Sequence, residues 1–456
     1  MRNLIYIGLL AIAAFGCTDE KINDGRDLTE NEQVNTYIKE EMTGNTSLYL
    51  WTEEIQGKSV TTTADPSVYV AQMRHSDDKW TSVEQDPLVS RTDANANDDI
   101  ETGYGYYLLN YQTNDGLYFS YVGYVYPGSP AEKAGLKRGD IITKVDGEYL
   151  TGDFSKLYTS SSVTVELGTM EGNTIYTETG KTVSMTAANT QIDPVLVDTT
   201  YEVGGKKVGY LHYTRFVYAS DDDLDHLTTV FRRFKSEGVK EFILDLRYNP
   251  GGYEMAAQRL ATLLAPESAV ASEEVLLEKQ WNAMWQAYYE AHGGVNLVTR
   301  LDKEVAADAR LGDLERLWVI TGSGTASSSE VVINGLKPFY GDRLIQVGET
   351  TYGKYVGGVT RIPDDEEISD WRLSLITCTD VNSEGTSVKG GLAPDIPVED
   401  NVLDSYPLGD TSEFLLGRVL SHIQDDPIPT GSRSMSQPTP LPAWQEPLPM
   451  LIILQE

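Results

Sequence analysis

Short apolar runs alternate with stretches of helical periodicity in the second half of the chain. Residues 317–320 are an apolar run, and residues 242–246 are apolar except for Asp245; both are long enough for buried strands. In 224–235 and 256–264, apolar residues recur every three or four positions, which predicts amphipathic helices. Strands that alternate with helices favour β–α crossovers, so we predict an α/β domain in this half.

The first half of the chain has a different pattern. Residues 31–55 carry apolar side chains at helical spacing and predict one or two amphipathic helices that pack on the core. Residues 104–109 and 117–122 predict a β-hairpin around the turn Asn114-Asp115-Gly116. The chain therefore combines a helical segment, a β-rich segment and an α/β segment.

Composition narrows the possible partners and cofactors. The 456 residues include 36 basic and 69 acidic side chains, a net charge of −33, which argues against nucleic-acid binding. The five histidines form no His-x-x-x-His pair and the two cysteines form no cluster, so we expect neither a metal site nor a cofactor.

The amino terminus predicts a targeting segment. Arg2 precedes an apolar stretch too short to span a bilayer as a mature helix. Residues 14–17, Ala-Phe-Gly-Cys, are similar to a lipoprotein cleavage box, which would make 1–16 a signal peptide and Cys17 the lipidated residue. The alternative is an ordinary secretory signal. With lipidation, the protein is anchored in a membrane of the cell envelope, at the periplasmic face or the cell surface.

A serine-rich turn carries the first candidate chemistry. Ser327-Ser328-Ser329-Glu330 follows the predicted strand 317–320 and begins a predicted helix, where free N–H groups favour developing negative charge. A nucleophilic serine needs a base, and Lys354 lies in the glycine-bounded loop after the strand 344–347. Burial would lower the pKa of this lysine. The alternatives are a helix N-cap and a solvated lysine.

A second turn supplies backbone donors. Asn249-Pro250-Gly251-Gly252 follows the strand 242–246, and paired glycines let backbone N–H groups approach a ligand closely. This turn is a candidate half of an oxyanion hole.

These motifs together resemble those of the C-terminal processing peptidases, also called tail-specific proteases. The matching segments are 245–252, 325–330 and 348–354. The resemblance implies a serine endopeptidase in which Ser329 is the nucleophile and Lys354 the general base, with Gly251, Gly252 and Glu330 donating N–H groups to the oxyanion. It also implies an α/β core of the crotonase/ClpP type at 191–424, and polypeptide substrates with exposed C-termini.

Residues 126–147 resemble the PDZ domains of bacterial proteases, through Ser-Pro-Ala, Ala-Gly-Leu, Gly-Asp-Ile-Ile and Val-Asp-Gly. PDZ domains bind extended C-terminal peptides by strand addition. We predict a PDZ domain at 89–190 after a tether and helical region at 17–88, and a Pro-rich tail at 425–456. The candidate carboxylate-binding loop is Gly103-Tyr104-Gly105-Tyr106, and a glycine-containing strand without a ligand is an equal alternative.

Several points remain open in the sequence. The family often has a glutamine four residues after the lysine, where this chain has Gly358, and chemistry alone does not separate Ser327 and Ser328 from Ser329. His212 is the candidate for a Ser-His-Asp triad, although a core or surface position is commoner. Residues 273–310 predict an insertion over the active-site face or a helical surface hairpin. The rival functions are a catalytically silent PDZ-containing binding protein and a structural envelope lipoprotein.

Overall fold

The computed structural model describes residues 27–85, 100–113, 115–171, 174–218, 221–401, 404–425 and 439–440. The predicted signal peptide 1–16, the lipidation candidate Cys17 and most of the predicted tail 425–456 lie outside these residues. In the described part of the chain, no helix is both long and apolar enough to cross a membrane.

Three helices and a strand come first, and they pack on a β-sheet. The elements are α1 (Glu30–Thr43), α2 (Thr52–Ile55), α3 (Pro66–Met73) and β1 (Ser82–Gln85). Thr29 caps α1, because its Oγ1 accepts from the N–H of Glu32 while the Glu32 carboxylate accepts from the N–H of Thr29. The apolar face of α1, with Val34 and Ile38, packs in one cluster with Leu373. The helices predicted in 31–55 therefore pack on the core.

A β-rich unit follows. Its elements are β2 (Ile100–Gly103), β3 (Tyr106–Gln112), β4 (Tyr118–Val125), α4 (Pro130–Lys133), β5 (Ile141–Val145), β6 (Glu148–Tyr149), α5 (Lys156–Thr159), β7 (Ser162–Glu171), β8 (Thr174–Thr186) and β9 (Ala188–Gln191). β3, β4, β5, β7 and β8 are neighbours in one sheet, and β2 pairs with β9. The antiparallel pair β3–β4 confirms the predicted hairpin. The apolar core of this unit includes Leu108, Val122 and Ile142.

The remaining elements build two sheets and their helices. They are β10 (Val195–Val203), β11 (Lys206–Tyr213), α6 (Asp221–Glu237), β12 (Glu241–Asp245), α7 (Glu254–Leu264), α8 (Glu267–Ala271), β13 (Val275–Trp281), α9 (Ala283–Ala291), β14 (Val298–Arg300), β15 (Arg316–Thr321), α10 (Ser328–Tyr340), β16 (Leu344–Gly348), β17 (Val356–Arg361), β18 (Trp371–Val381), β19 (Ile396–Pro397), α11 (Phe414–Asp425) and β20 (Thr439–Pro440), with short 3-10 helices at Val295–Leu297, Gly341–Arg343 and Glu366–Ile368. β20 pairs with β3 in the β-rich unit.

The larger of the two sheets has the order β10-β11-β12-β15-β16-β19, and every pair after β10–β11 is parallel. Successive side chains of a strand point to opposite faces. Phe242 and Leu244 accordingly pack with α6, α7 and α10, whereas Ile243 packs with α11 on the other face. Apolar runs without alternation are typical of strands covered on both faces. The predicted α/β class is confirmed.

The smaller sheet corrects one interpretation of the sequence. Its strands follow the order β1-β18-β13-β14, and β17 also pairs with β18. Residues 273–310 supply β13 and β14, so this segment is not a surface hairpin of helices. Leu276 and Leu277 of β13 are buried. The sequence did not predict β13, because the strand is short and the aromatic residues of α9 directly after it favour a helix.

Buried ion pairs join the β-rich unit to the larger sheet. Arg247, just after β12, donates to both carboxylate oxygens of Glu413, at 2.6 and 2.8 Å, and to Asp245. Arg138, after α4, donates to the Tyr248 hydroxyl at 3.1 Å and to Glu413 Oε1 at 3.4 Å. Both guanidinium groups are buried with their partners, so this contact fixes how the two units dock.

Candidate active site

The serine-rich turn connects a central strand to a long helix. β15 ends at Thr321 and α10 begins at Ser328, so Ser329 is the second residue of the helix. Ser327 has φ 58° and ψ −120°, a conformation that residues with a Cβ rarely adopt. This sharp turn sets Ser329 at a helix N-terminus, where the first N–H groups have no intrahelical acceptor.

The three serine hydroxyls have different surroundings. Ser329 Oγ donates to the carbonyl oxygen of Asn249 at 3.1 Å, and Ser328 Oγ donates to that of Gly252 at 2.6 Å. Ser327 Oγ is buried and has no hydrogen-bond partner among the described residues. Two of the three hydroxyls therefore contact the Asn-Pro-Gly-Gly turn, as expected for parts of one site.

Glycine is required in the Asn-Pro-Gly-Gly turn. Gly251 has φ +107°, and a Cβ there would lie 2.6 Å from the Cβ of Ser327. Gly252 has φ +141°, and a Cβ there would lie 2.1 Å from the carbonyl oxygen of Phe216. Asn249 shapes the turn, since its Oδ1 accepts from the N–H of Gly251 at 2.9 Å. The backbone of both glycines thus approaches the serine turn closely.

Glu330 joins the serine turn to the lysine loop. Its buried carboxylate accepts from the N–H of Ser327 at 2.9 Å and from that of Lys354 at 2.8 Å. It also accepts from the N–H of Gly353 at 2.7 Å and from Thr351 Oγ1 at 2.5 Å. Burial raises the pKa of Glu330, while these four donors favour the ionised form. One carboxylate therefore fixes the position of Lys354 relative to residue 329.

Lys354 is nearly solvent-free, with 1% of its surface exposed. Burial lowers the pKa of its amine from 10.5 to about 7, although Glu330, Asp380 and Asp78 favour the ammonium form. A large share of the amine is then neutral near neutral pH, with a lone pair that can accept a proton.

A buried polar cluster beside Lys354 was not predicted from the sequence. Lys279 of β13 places its Nζ 2.7 Å from Glu254 Oε1. Asp380 of β18 faces Lys279 in the antiparallel register. Burial and the nearby Glu254 raise the pKa of Asp380 to about 8. The available signal was a carboxylate at the end of an apolar strand, which gives no indication of its partner. Gly358 lies in β17 and brings no side chain.

The other residues singled out in the sequence lie elsewhere. The Tyr104 and Tyr106 side chains are buried in the β-rich unit, and their hydroxyls donate to the carbonyl oxygens of Ser160 and Leu157. His212 is buried against the Tyr124 and Tyr248 rings. Cys378 is buried and free.

Two segments of the chain match known protein families. Residues 207–398 match peptidase family S41, and residues 121–158 match the PDZ domain. The carboxy-terminal-processing protease of Bartonella bacilliformis is 28% identical over 293 residues, which are 61% of this chain and 58% of that protein. The carboxy-terminal processing protease CtpA of Bacillus subtilis is 28% identical over 274 residues, which are 60% and 52%.

The match to a solved structure is longer. A putative S41 protease from Bacteroides fragilis superposes with a TM-score of 0.68 at 26% identity, over 88% of this chain and 98% of that one. Mature CPAF has a TM-score of 0.50 at 13% identity, which shows a shared fold alone. The chain spans just over half the length of the two curated relatives.

Proposed function

We propose that this chain, which carries a peptidase family S41 domain over residues 207–398 and a PDZ domain over 121–158, is a serine endopeptidase that cleaves near protein C-termini. The observation that carries the proposal is the buried Lys354, held by the carboxylate of the residue that follows Ser329. A serine at a helix N-terminus needs a base to become a nucleophile, and a buried neutral amine in the loop bonded to Glu330 can supply one.

The proposed reaction runs through an acyl-enzyme. The neutral amine of Lys354 takes the proton of Ser329 as its Oγ attacks the scissile carbonyl carbon. The protonated lysine then gives this proton to the leaving amine as the C–N bond breaks. Water attacks the acyl group, Lys354 takes a proton from it, and Ser329 Oγ leaves and is protonated again. The pKa of about 7 suits both transfers, because each form of the amine is populated near neutral pH.

Backbone donors stabilise the oxyanion in this scheme. The N–H of Gly251 already donates to Asn249 Oδ1, so this donor is partly engaged. The carbonyl of Gly252 accepts from Ser328 Oγ, which holds the Gly252 peptide beside the helix start. We therefore assign the oxyanion to the N–H groups of Gly252 and Glu330, with Gly251 in support. Loss of one such donor typically raises the barrier by about 3–4 kcal/mol.

The proposed substrate depends on the PDZ domain, and the proposed location depends on lipidation at Cys17. The PDZ domain binds the extended C-terminus of a polypeptide, with Gly103, Tyr104, Gly105 and Tyr106 as its candidate carboxylate loop. Lipidation at Cys17 anchors the protein in a membrane of the cell envelope. The proposed chain divides into a tether and helical region at 17–88, a PDZ domain at 89–190, a peptidase domain at 191–424 and a tail at 425–456.

Cleavage of an unstructured protein by the wild type, Ser329→Ala and Lys354→Ala tests the function. We expect cleavage by the wild type only, with a rate that rises through about pH 7 as Lys354 loses its proton. Cleavage that persists in Ser329→Ala would assign the nucleophile elsewhere. Absence of cleavage across substrates with varied C-termini would exclude the peptidase.

The second candidate is a catalytically silent PDZ-containing binding protein. One observation favours it, the absence of a side chain at Gly358, where the resembled family often orients its lysine with glutamine. Calorimetric titration with C-terminal peptides separates the two candidates, because the silent protein binds these peptides and leaves them intact.

A further inference from the structure

Tyr248 lies one residue before the Asn-Pro-Gly-Gly turn, in a backbone conformation that tyrosine rarely adopts. Its φ is +68°, in the left-handed region that favours glycine or asparagine. It is the third residue of a turn in which the N–H of Asn249 donates to the carbonyl oxygen of Leu246 at 3.0 Å, and a positive φ at this position normally selects glycine. Strained residues persist only where their surroundings hold them, and they cluster at functional sites.

The turn that contains Tyr248 is bonded to the loop before the serines. The carbonyl oxygen of Leu246 accepts from Thr325 Oγ1 at 2.8 Å. The carbonyl oxygen of Asn249 accepts from the N–H of Ala326 at 3.1 Å. The residues on either side of this turn therefore hold the serine loop in place.

A change of φ at Tyr248 would disturb the proposed catalytic groups. Rotation at this residue redirects the peptide of Asn249, whose carbonyl oxygen accepts from Ser329 Oγ. It also displaces the N–H groups of Gly251 and Gly252, two of the proposed oxyanion donors, because they follow in the same turn. The positive φ of Tyr248 is thus a condition for the geometry of the proposed oxyanion hole.

The β-rich unit supplies most of the surroundings of the Tyr248 side chain, which is 6% exposed. Tyr107 of β3 stacks on its ring, with centroids 5.1 Å apart and planes 28° apart, and the ring of Tyr124 of β4 lies 6.3 Å away. Arg138 places its guanidinium carbon 5.8 Å from the ring centroid and donates to the hydroxyl at 3.1 Å. The hydroxyl donates to Asp400. Three of these four neighbours belong to the β-rich unit.

Gly123 of β4 gives the stacked rings room. A Cβ at Gly123 would lie 3.2 Å from Cδ1 of Tyr107 and 3.5 Å from Cε2 of Tyr248. The hydroxyl of Tyr107 also lies beside Gly324, 3.5 Å from the position that a Cβ would take there. Gly324 belongs to the loop before the serines, so Tyr107 is next to both segments of the proposed site.

We propose that Tyr248 is the positioning residue of the Asn-Pro-Gly-Gly turn, and that Tyr107 holds it in place from the β-rich unit. The stacked ring keeps Tyr248 at positive φ, which keeps the proposed oxyanion donors beside Ser329. The inference rests on the proposed function. Neither tyrosine touches the substrate or exchanges a proton in the reaction.

The test measures kcat, KM and thermal stability of Tyr248→Ala, Tyr248→Phe and Tyr107→Leu. We expect Tyr248→Ala to lower kcat about 100-fold, the effect of losing one oxyanion donor, with KM within about twofold of the wild type because these residues do not bind substrate. Tyr248→Phe keeps the stacked ring and should retain kcat within about fivefold. Tyr107→Leu should lower kcat about tenfold, because the ring of Tyr248 loses its stacking partner.

Two controls separate positioning from a general loss of packing. Tyr118 of β4 matches Tyr107, since both are partly buried and Tyr118 packs on Phe154, at 6.2 Å, inside the β-rich unit. Tyr118→Leu should leave kcat within about twofold of the wild type. In the double variant of Tyr107→Leu and Tyr248→Ala, kcat should be no lower than in Tyr248→Ala alone, because residues in one stack act together.

Three results would overturn the inference. They are Tyr248→Ala and Tyr107→Leu with kcat within about twofold of the wild type, Tyr118→Leu with as large a loss as Tyr107→Leu, or losses that multiply in the double variant. If Tyr248→Ala does not fold, Tyr107→Leu, at a partly buried residue of the other unit, decides by itself. In each case a wild type that depends on Ser329 and Lys354 leaves the proposed function intact. A wild type without cleavage or serine labelling would remove both.

Discussion

The backbone N–H of Lys354 donates to Glu330 Oε2 at 2.8 Å. Glu330 directly follows Ser329, and its carboxylate also accepts from the N–H of Ser327. The loop that carries the proposed base is therefore bonded to the turn that carries the proposed nucleophile. This explains physically why a glutamate follows the serine in the motif, since a neutral or shorter side chain would not satisfy four donors.

Glu330→Gln should weaken both the fold and the reactivity of Ser329. The amide cannot accept from all four donors, and hydrogen bonds to a charged group are worth about 1.5–3 kcal/mol each. We expect the free energy of unfolding to fall by about 3 kcal/mol, and labelling by a serine-directed fluorophosphonate to slow strongly. Denaturant titration and labelling rates measure the two effects.

Glu349→Gln is the matched control for Glu330, because among the residues that the structure describes its carboxylate accepts only from the N–H of Ser323 at 3.3 Å. We expect a loss of at most about 1 kcal/mol and normal labelling. Equal losses in both variants would show that the four bonds of Glu330 have no special weight.

Gly251→Ala should abolish labelling. The new Cβ would lie 2.6 Å from the Cβ of Ser327 and 3.0 Å from the backbone nitrogen of Ser328, so the serine turn must shift. Gly147→Ala is the control, because Gly147 also has positive φ, +84°, but open space around its Cβ position. That variant should lose only about 1 kcal/mol of stability from backbone strain. Normal labelling in Gly251→Ala would place the reactive serine away from this turn.

Much of this structure could be predicted from local sequence. The strands of the larger sheet and the helices that cover it follow from apolar runs and helical spacing, because the residues that each element buries are close together in the sequence. Ser329 lies close to the Asn-Pro-Gly-Gly turn, as expected of two motifs that resemble those of the same family. In parallel sheets such motifs meet at the carboxyl ends of neighbouring strands, here β12 and β15.

Long-range pairing could not be predicted. Asp380 lies beside the lysine loop because β17 pairs with β18, and it meets Lys279 only because β13 and β18 pair across about a hundred residues of chain, a register that nothing local specifies. The same holds for Arg247 and Glu413, which are 166 residues apart. β13 itself was obscured by the aromatic residues that follow it. The missed parts of the site are therefore those that depend on strand pairing rather than on local pattern.

Arg247→Met should destabilise the protein severely. Asp245 and Glu413 are fully buried beside Arg247 and would lose their main cationic partner. Removing one partner of a buried ion pair typically costs about 3–5 kcal/mol. Thermal and denaturant unfolding measure the loss, and Arg232→Met, at the exposed pair with Asp308, serves as the control with less than about 1 kcal/mol. Similar values for the two variants would mean that the buried network contributes little.

Ser327→Gly should be tolerated or stabilising. Ser327 has φ 58° and a buried hydroxyl without a partner among the described residues, so glycine removes both strain and an unsatisfied group. Residues held in such conformations cost about 1–3 kcal/mol. We expect a small gain in unfolding free energy and retained labelling, whereas Ser329→Ala should not label. If Ser327→Gly fails to label while Ser329→Ala labels, the nucleophile is Ser327.

Lys354→Met should change how stability depends on pH. In the wild type, the folded amine loses its proton near pH 7, but the unfolded amine keeps it up to about 10.5. Between these values the unfolded state binds more protons, so the unfolding free energy rises with pH.

Asp380 acts in the opposite direction below about pH 8, because its folded pKa is raised. The window above pH 8 therefore reports on Lys354. There, unfolding titrations should show a rise in the wild type that is much smaller in Lys354→Met, and the variant should be more stable near pH 7. Equal slopes in both proteins above pH 8 would mean that the buried amine stays charged, and Lys354 could then not act as the base.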